Sequence, residues 1–153
     1  VEIKAMEIVN IDEKKIVGIT TRTSNAAEMG GNGKILPLWE AFVQAVGENL
    51  PNITPIGVYW NYESDVNAAY DITAGIEKDS LDVAELSEEI TIQAGRYLKF
   101  TKEGPMPDAV ISLWQEIWVY FSTPNSEFKR AYTTDFEVYS NQSKVEIYIA
   151  IES

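Results

Sequence analysis

The chain contains no cysteine and no histidine. The first absence excludes disulfides, thiolate metal sites and cysteine nucleophiles. The second removes imidazole ligands, the serine–histidine pair and the usual proton shuttle near neutral pH. Most familiar enzyme mechanisms go with them. The carboxylates follow no calcium-loop spacing either, so no metal and no cofactor is expected. Basic residues are scarce, with 12 Lys and Arg against 24 Asp and Glu and a formal net charge of −12. The deficit runs through both halves: 11 acidic and 6 basic residues over 1–78, then 13 and 6 over 79–153. Either half would repel a phosphate backbone, so direct nucleic-acid binding is not expected. Long apolar runs are missing too: nothing approaches the about 18 residues of a membrane-spanning helix. The start, Val1-Glu2-Ile3-Lys4-Ala5-Met6, lacks the basic-then-apolar pattern of a secretory signal. A cytoplasmic protein without membrane association is expected, in which Asn52-Ile53-Thr54 and Asn141-Gln142-Ser143 are chance matches to a glycosylation pattern.

What the sequence does contain is an internal repeat at a spacing of 75 residues. Ile35, Leu38, Trp39, Phe42, Val43 and Val46 follow the spacing of one helical face, and Val110, Leu113, Trp114, Ile117, Trp118 and Phe121 occupy the same places 75 further on. Both copies contain Leu-Trp. Gly33 and Pro37 punctuate the first start, Gly104, Pro105 and Pro107 the second; Asn49-Leu50-Pro51 and Thr123-Pro124-Asn125 mark the ends. Behind each helix, residues 70–77 align with 145–152, so that Ile72 meets Ile147 and Ile76 meets Ile151. A further β-rich run precedes each of these, 56–62 and 135–139, and another precedes each helix, 15–21 and 92–100. The acidic stretch 78–89 reads as a linker with a helical turn.

This pattern predicts an α+β fold of two strand-helix-strand-strand repeats, about 3–78 and 90–152, related by a pseudo-twofold axis. The sheet is expected to be antiparallel, with the two main helices on one face and a ligand groove at the seam. Strand alternation turns Val145, Ile147, Ile149 and Ile151 to one side and Glu146 and Tyr148 to the other. Pairing this strand with the one before it around Ser140 to Lys144 places Glu137, Tyr139, Glu146 and Tyr148 on a common face, either solvated or lining the groove. Four Trp, eight Tyr and five Phe exceed what a core of this size requires, which favours the groove. Trp114 and Trp118, one turn apart, are expected to pack helix on sheet beside it. Trp60 and Tyr62 alternate with Tyr59 and Asn61, and parity leaves open which pair faces the helices. An acidic, aromatic groove selects a cation, because a desolvated carboxylate gains a partner and aromatic faces add attraction. Gly30-Gly31-Asn32-Gly33-Lys34 lacks the spacing and the Ser or Thr of a phosphate loop and reads as a flexible entry to the first helix.

The order of elements, Gly57-Val58-Tyr59 followed by Tyr70-Asp71-Ile72, the Trp-bearing helix from Pro107 to Phe121, and Phe136-Glu137-Val138-Tyr139 leading into Val145-Glu146-Ile147-Tyr148-Ile149 together resemble the GyrI-like domain. This is the effector-binding domain of AraC-type and MerR-type multidrug regulators, and the resemblance spans residues 3–152. It implies that acidic residues of the last two strands, with nearby aromatics, bind lipophilic cations. Glu137 and Glu146 stand at the matching positions, with Tyr139 and Tyr148 two residues on and Trp60, Tyr62, Trp114, Trp118 and Asp71 as further candidates. Two departures are a missing helix-turn-helix segment and Ala150 in place of a proline late in the final strand. The expectation is a free-standing effector-binding domain, 1–153, that sequesters or senses lipophilic cations, with a possible DNA-binding protein as partner in trans. The alternatives are a small hydrolase using Glu137 or Glu146 as general base and an inhibitor whose acidic face engages a basic partner such as a topoisomerase.

Overall fold

The computed structural model describes residues 6–31, 33–64, 68–80, 83–123 and 127–152. Asn32 of the glycine-rich entry, Leu81 and Asp82 of the acidic linker, and Pro124 and Asn125 after the second long helix lie outside the described residues. Among the described residues eight strands form one antiparallel sheet: β1 (Met6–Ile11), β2 (Lys14–Ser24), β3 (Ile56–Trp60), β4 (Ala69–Glu77), β5 (Glu88–Ile92), β6 (Gly95–Glu103), β7 (Arg130–Asn141) and β8 (Lys144–Ile151). A short helix α1 (Asn25–Met29) follows β2, and the two long helices are α2 (Ile35–Val46) and α3 (Asp108–Ser122). Pro37 falls in the first turn of α2, where its missing N–H costs nothing, and Gly47 ends that helix at φ 52, a conformation open to glycine.

The strand order, β1-β6-β8-β7-β3-β4-β2-β5, reads the same outward from the central β3–β7 pair in both directions. Second strand, fourth strand and third strand of each half correspond, as the repeat predicts. The edges do not follow that prediction. β1 precedes β2 in the chain yet pairs with β6, and β5 precedes β6 yet pairs with β2, so each half lends its leading strand to the other. β5 lies at the end of the stretch read as a linker; it is a short edge strand with exposed Glu88 and Glu89, and only Ile90 and Ile92 betray it.

Helix α2 lies over β2 and β4, and α3 over β6 and β8. Leu38, Phe42 and Val46 pack on Ile72, Ala74 and Ile76. Leu113 and Ile117 pack on Leu98, Phe100, Val145, Ile147 and Ile149. The opposite face has its own core, in which Val9, Ile11, Ile90 and Ile92 of the edge strands join Val58 and Phe136 of the central ones. Edges and centre of a flat eight-stranded sheet would lie about 15 Å or more apart at about 4.8 Å per strand, so the sheet must curl to close this cluster. Gly18 opposes Gly75 in the β2–β4 ladder, and a Cβ on either would stand 2.2–2.3 Å from a carbonyl oxygen of the other strand. With a helix over each half, β3 and β7 form the floor of a seam between α2 and α3.

Candidate functional site

In the β3–β7 ladder Gly57 opposes Glu137 and Tyr59 opposes Asp135, and directly opposed residues share a face. Glu137 also opposes Ile147, whose side chain lies under α3, so Gly57, Tyr59, Asp135 and Glu137 all face the helices. Glu137 is 2% exposed, on the floor of the seam. Three neutral donors hold its carboxylate. Tyr59 Oη donates to Oε2 at 2.8 Å, Trp114 Nε1 to Oε2 at 2.6 Å and Tyr139 Oη to Oε1 at 2.9 Å. Trp39 closes the other side, meeting Tyr139 edge-on at 5.4 Å, while Trp114 meets Tyr59 at 5.2 Å. Trp39 and Trp114 are the two tryptophans of the repeated Leu-Trp pair, so the repeat delivers one indole from each helix to the same carboxylate. Gly57 makes room: a Cβ there would stand 2.9 Å from Glu137 Oε1 and 3.0 Å from Trp39 Cζ2.

The two halves differ at this point. Tyr59 opposes Ile72 and Glu137 opposes Ile147, and these isoleucines are repeat equivalents, so Tyr59 and Glu137 occupy corresponding positions. One repeat therefore supplies the acid and the other a hydroxyl that donates to it. Burial pushes the Glu137 carboxyl above its ordinary range, against the lowering effect of hydrogen bonds from Trp114, Tyr59 and Tyr139. Burial first, and the Glu137 charge second, push the Tyr59 and Tyr139 hydroxyls well above theirs, which keeps both as donors. Beside Glu137 lies a different carboxylate, Asp135, which is fully buried and paired with Arg130 at 2.7 Å. Tyr62 Oη donates to it, and Tyr62, Tyr70 and Tyr59 run in ring contact from Asp135 to Glu137.

The sequence-derived candidates separate into two groups. Glu137, Tyr139 and Trp114 meet in the seam, and Trp118 lies 6.1 Å from Trp114, ring to ring. Glu146 and Tyr148 do not share the face of Glu137, which corrects the common-face expectation. A plain two-residue turn at Gln142-Ser143, with Asn141 opposite Lys144, would carry on to set Tyr139 against Glu146 and Glu137 against Tyr148. Instead an irregularity between Tyr139 and Asn141 adds one residue to β7, so Tyr139 opposes Val145 and Glu137 opposes Ile147. That single step turns the acids to opposite sides of the sheet. Glu146 is bound by Lys99 at 2.9 Å, and Tyr148 stacks on Phe136 at 4.5 Å. Although burial acts in the other direction, the hydrogen bond and charge of Lys99 leave the Glu146 carboxyl below its ordinary value. Trp60 and Asp71 also lie on the far side: Trp60 Nε1 donates to Thr73 Oγ1, and Asp71 pairs with Arg22 at 3.0 Å. Tyr62 does not follow Trp60, because Asn61 at φ 52 breaks the alternation and returns Tyr62 to the helix side. Asp135 and Arg130 were not singled out from sequence, and Gly57 and Tyr70 entered only as members of the motifs that carry the resemblance, not as site residues; for Asp135 the one available signal was that it stands two residues before Glu137.

Two shallow depressions elsewhere lack this combination of aromatic cover and buried acid. One is lined by Glu13, Lys14, Lys15, Glu77 and Lys78, and the other by residues 93–97 with Ala150, Ile151 and Glu152. Among the described residues no acidic cluster is placed to hold a metal ion, and no helix is long and apolar enough to cross a membrane.

An integron cassette protein from the mobile metagenome of Vibrio cholerae is 40% identical to this chain, with a TM-score of 0.85 and 97% of each chain covered. YobU of Bacillus subtilis (strain 168), described as a candidate transcriptional regulator, is 30% identical over 158 residues, 95% of this chain and 96% of its own. SAV2435, solved with bound tetraphenylphosphonium, has the same fold at 16% identity, with a TM-score of 0.73 over 98% of this chain and 95% of its own. The family model for integron-associated effector binding protein matches residues 7–151. Since that match runs through both repeats and across the seam between them, the chain belongs to the Cass2 family of integron-associated effector-binding proteins.

Proposed function

We propose that the protein captures lipophilic cations at Glu137, as a sequestering or sensing module of the cytoplasm whose effect on DNA passes through a separate partner, and not as an enzyme. The observation that carries this reading is a buried carboxylate whose hydrogen-bond partners are all neutral, enclosed by Trp39, Tyr59, Trp114 and Tyr139. Desolvation of a carboxylate without a counter-ion is costly, and an arriving cation relieves that cost while the aromatic faces add attraction. A neutral or anionic ligand gains neither. The walls suit an amphipathic body as well. On α2 the apolar stripe continues past Trp39 to Val43 and Leu36, 45% and 70% exposed, and on α3 past Trp114 to Trp118 and Ile111, the last 52% exposed. These positions match at the repeat spacing, so both rims of the seam are apolar where a ligand's hydrophobic part would rest. The tetraphenylphosphonium bound to SAV2435 is a ligand of the same chemistry on the same fold. Paired-carboxylate hydrolysis would need a second free acid beside Glu137, and Asp135, two residues away on the same face, is occupied by Arg130. The test is a pair of ions of equal shape and opposite charge. Tetraphenylphosphonium should bind and perturb tryptophan fluorescence while tetraphenylborate should not; equal binding of both would end the charge argument.

A further inference from the structure

We infer that Arg130 limits the seam to ligands carrying a single positive charge, by neutralising the second carboxylate on its floor. This rests on the reading of Glu137 as the cation site. Asp135 and Glu137 are two residues apart on one strand and face the same way, which sets their Cα atoms about 7 Å apart at about 3.3 Å per residue. Without Arg130 the floor would carry two acids. The chain goes to some length to prevent that. Between Arg130 and Asp135, β7 takes five steps where β8 takes two, and this irregular stretch folds Arg130 back onto Asp135. Tyr132, within it, adopts φ 55, uncommon for an aromatic residue, and sets its ring 4.5 Å from the Arg130 guanidinium. The pair is 7% and 0% exposed, and Asp135 is further held by Tyr62 Oη and by the backbone N–H of Ala150 at 2.9 Å. Among the described residues Arg130 Nε has no hydrogen-bond partner, so the guanidinium is fixed by Asp135 and Tyr132 at the expense of one of its own donors.

The repeat shows that this charge is an addition. Asp135 opposes Ile149, Gly57 opposes Ala74, and Ala74 and Ile149 are repeat equivalents, so the place of Asp135 in the other half is held by Gly57. Among the described residues the floor thus carries two acids and one base, and Glu137 is the acid there without a counter-ion. A monocation matches it. A dication would bring one charge into a desolvated site with no free counter-charge, a cost of the kind that defeats unpaired buried ions.

The experiment compares N-benzyl-4-phenylpyridinium with benzyl viologen, which have similar aromatic bodies with one charge and two. Both are titrated into the wild-type protein, Arg130→Met and the double variant Arg130→Met/Asp135→Asn, after a cooperative melt has shown which variants fold. The wild type should prefer the monocation by roughly tenfold or more. Arg130→Met should shift that preference towards the dication by roughly tenfold, and the double variant should restore the wild-type preference. A folded Arg130→Met with the wild-type preference would overturn the role of Arg130; if that variant does not fold, Asp135→Asn, which leaves Arg130 without its partner, is measured in its place and should weaken monocation binding by roughly tenfold, unchanged affinity again overturning the role. Equal wild-type affinity for the two ligands, or a double variant that prefers the dication, would overturn the role of Arg130 while leaving Glu137 intact. Failure of the wild type to bind either ligand would remove the Glu137 reading, and this inference with it.

Discussion

Replacing Gly57 with alanine perturbs the site from beneath, without touching any group that bears charge. The new Cβ would lie 2.9 Å from Glu137 Oε1 and 3.0 Å from Trp39 Cζ2, against ordinary contacts of 3.4 Å or more, so each neighbour must retreat by about 0.4–0.5 Å. Glu137 Oε1 is not free to do so, because Tyr139 Oη holds it at 2.9 Å. Stretching that bond towards the limit of hydrogen-bonding distance forfeits most of a charge-assisted contact, about 1.5–3 kcal/mol when lost in full. Alanine recovers about 0.4–1 kcal/mol through the entropy of the unfolded chain. The net loss should be about 1–2 kcal/mol, which in a chain of this size lowers Tm by roughly 2–8 °C. Affinity for tetraphenylphosphonium should fall by roughly 5–30-fold, since the carboxylate and the indole that frame the ligand are both displaced. Thermal denaturation and isothermal titration read the two effects. An alanine variant with unchanged or raised Tm and full affinity would show that the carboxylate is not held against Gly57, and the described geometry of the seam would be wrong.

Glu137→Ala should destabilise the protein by about 1–3 kcal/mol in urea denaturation, because it strands Trp114 Nε1 and two tyrosine hydroxyls, whereas Glu137→Gln keeps an acceptor and should cost little. Trp114→Phe keeps an aromatic ring but removes the 2.6 Å donor, so cation affinity should fall several-fold and the Glu137 carboxyl should rise further. The pH dependence has a definite sign. Since the folded protein holds the Glu137 proton more tightly than the unfolded chain, this residue's contribution makes stability fall as pH rises from the unfolded carboxyl value of about 4.3 to the raised folded one. Cation affinity should move the other way, rising with pH through the same window. Glu137→Gln should flatten the affinity profile, and an equally flat wild-type profile would contradict the assignment.

The repeat was legible because two helices with Leu-Trp at the same place and two Ile-rich strands survive in both halves. That was enough to fix the central six strands, the helix face and the seam. The short edge strands were not legible, since β1 and β5 carry few buried residues and their exchange between halves is a matter of long-range pairing. The face of Glu137 relative to Glu146 depended on a single extra residue near Ser140, and local sequence does not distinguish a bulged hairpin from a plain one with the same turn. Tyr62 was likewise placed by one positive φ at Asn61. Glu137 was a candidate from family resemblance; strand parity with a plain hairpin set it on the face away from the isoleucines, and the structure turns it onto the face of Ile147. Its cage, by contrast, joins β3, β7, α2 and α3, and nothing in the motif Gly57-Val58-Tyr59 marks Gly57 as the residue that makes room for the carboxylate. Asp135 and Arg130 looked like ordinary surface charges in an acidic chain until the fold buried them.

The most direct test of the central claim is the affinity of tetraphenylphosphonium, by isothermal titration, for Glu137→Gln beside Glu146→Gln. Its place between Val145 and Ile147 made Glu146 the deeper acid expected from sequence, and the structure reverses that order: Glu137 is the buried one, held by neutral partners, and Glu146 lies on the opposite face, paired with Lys99. Loss of a charge-assisted contact of about 1.5–3 kcal/mol predicts a roughly 10- to 150-fold weakening for Glu137→Gln. Glu146→Gln should stay within about twofold of the wild type, as expected for a partly exposed pair outside the seam. Full affinity in Glu137→Gln, or a loss in Glu146→Gln as large as that in Glu137→Gln, would contradict the account.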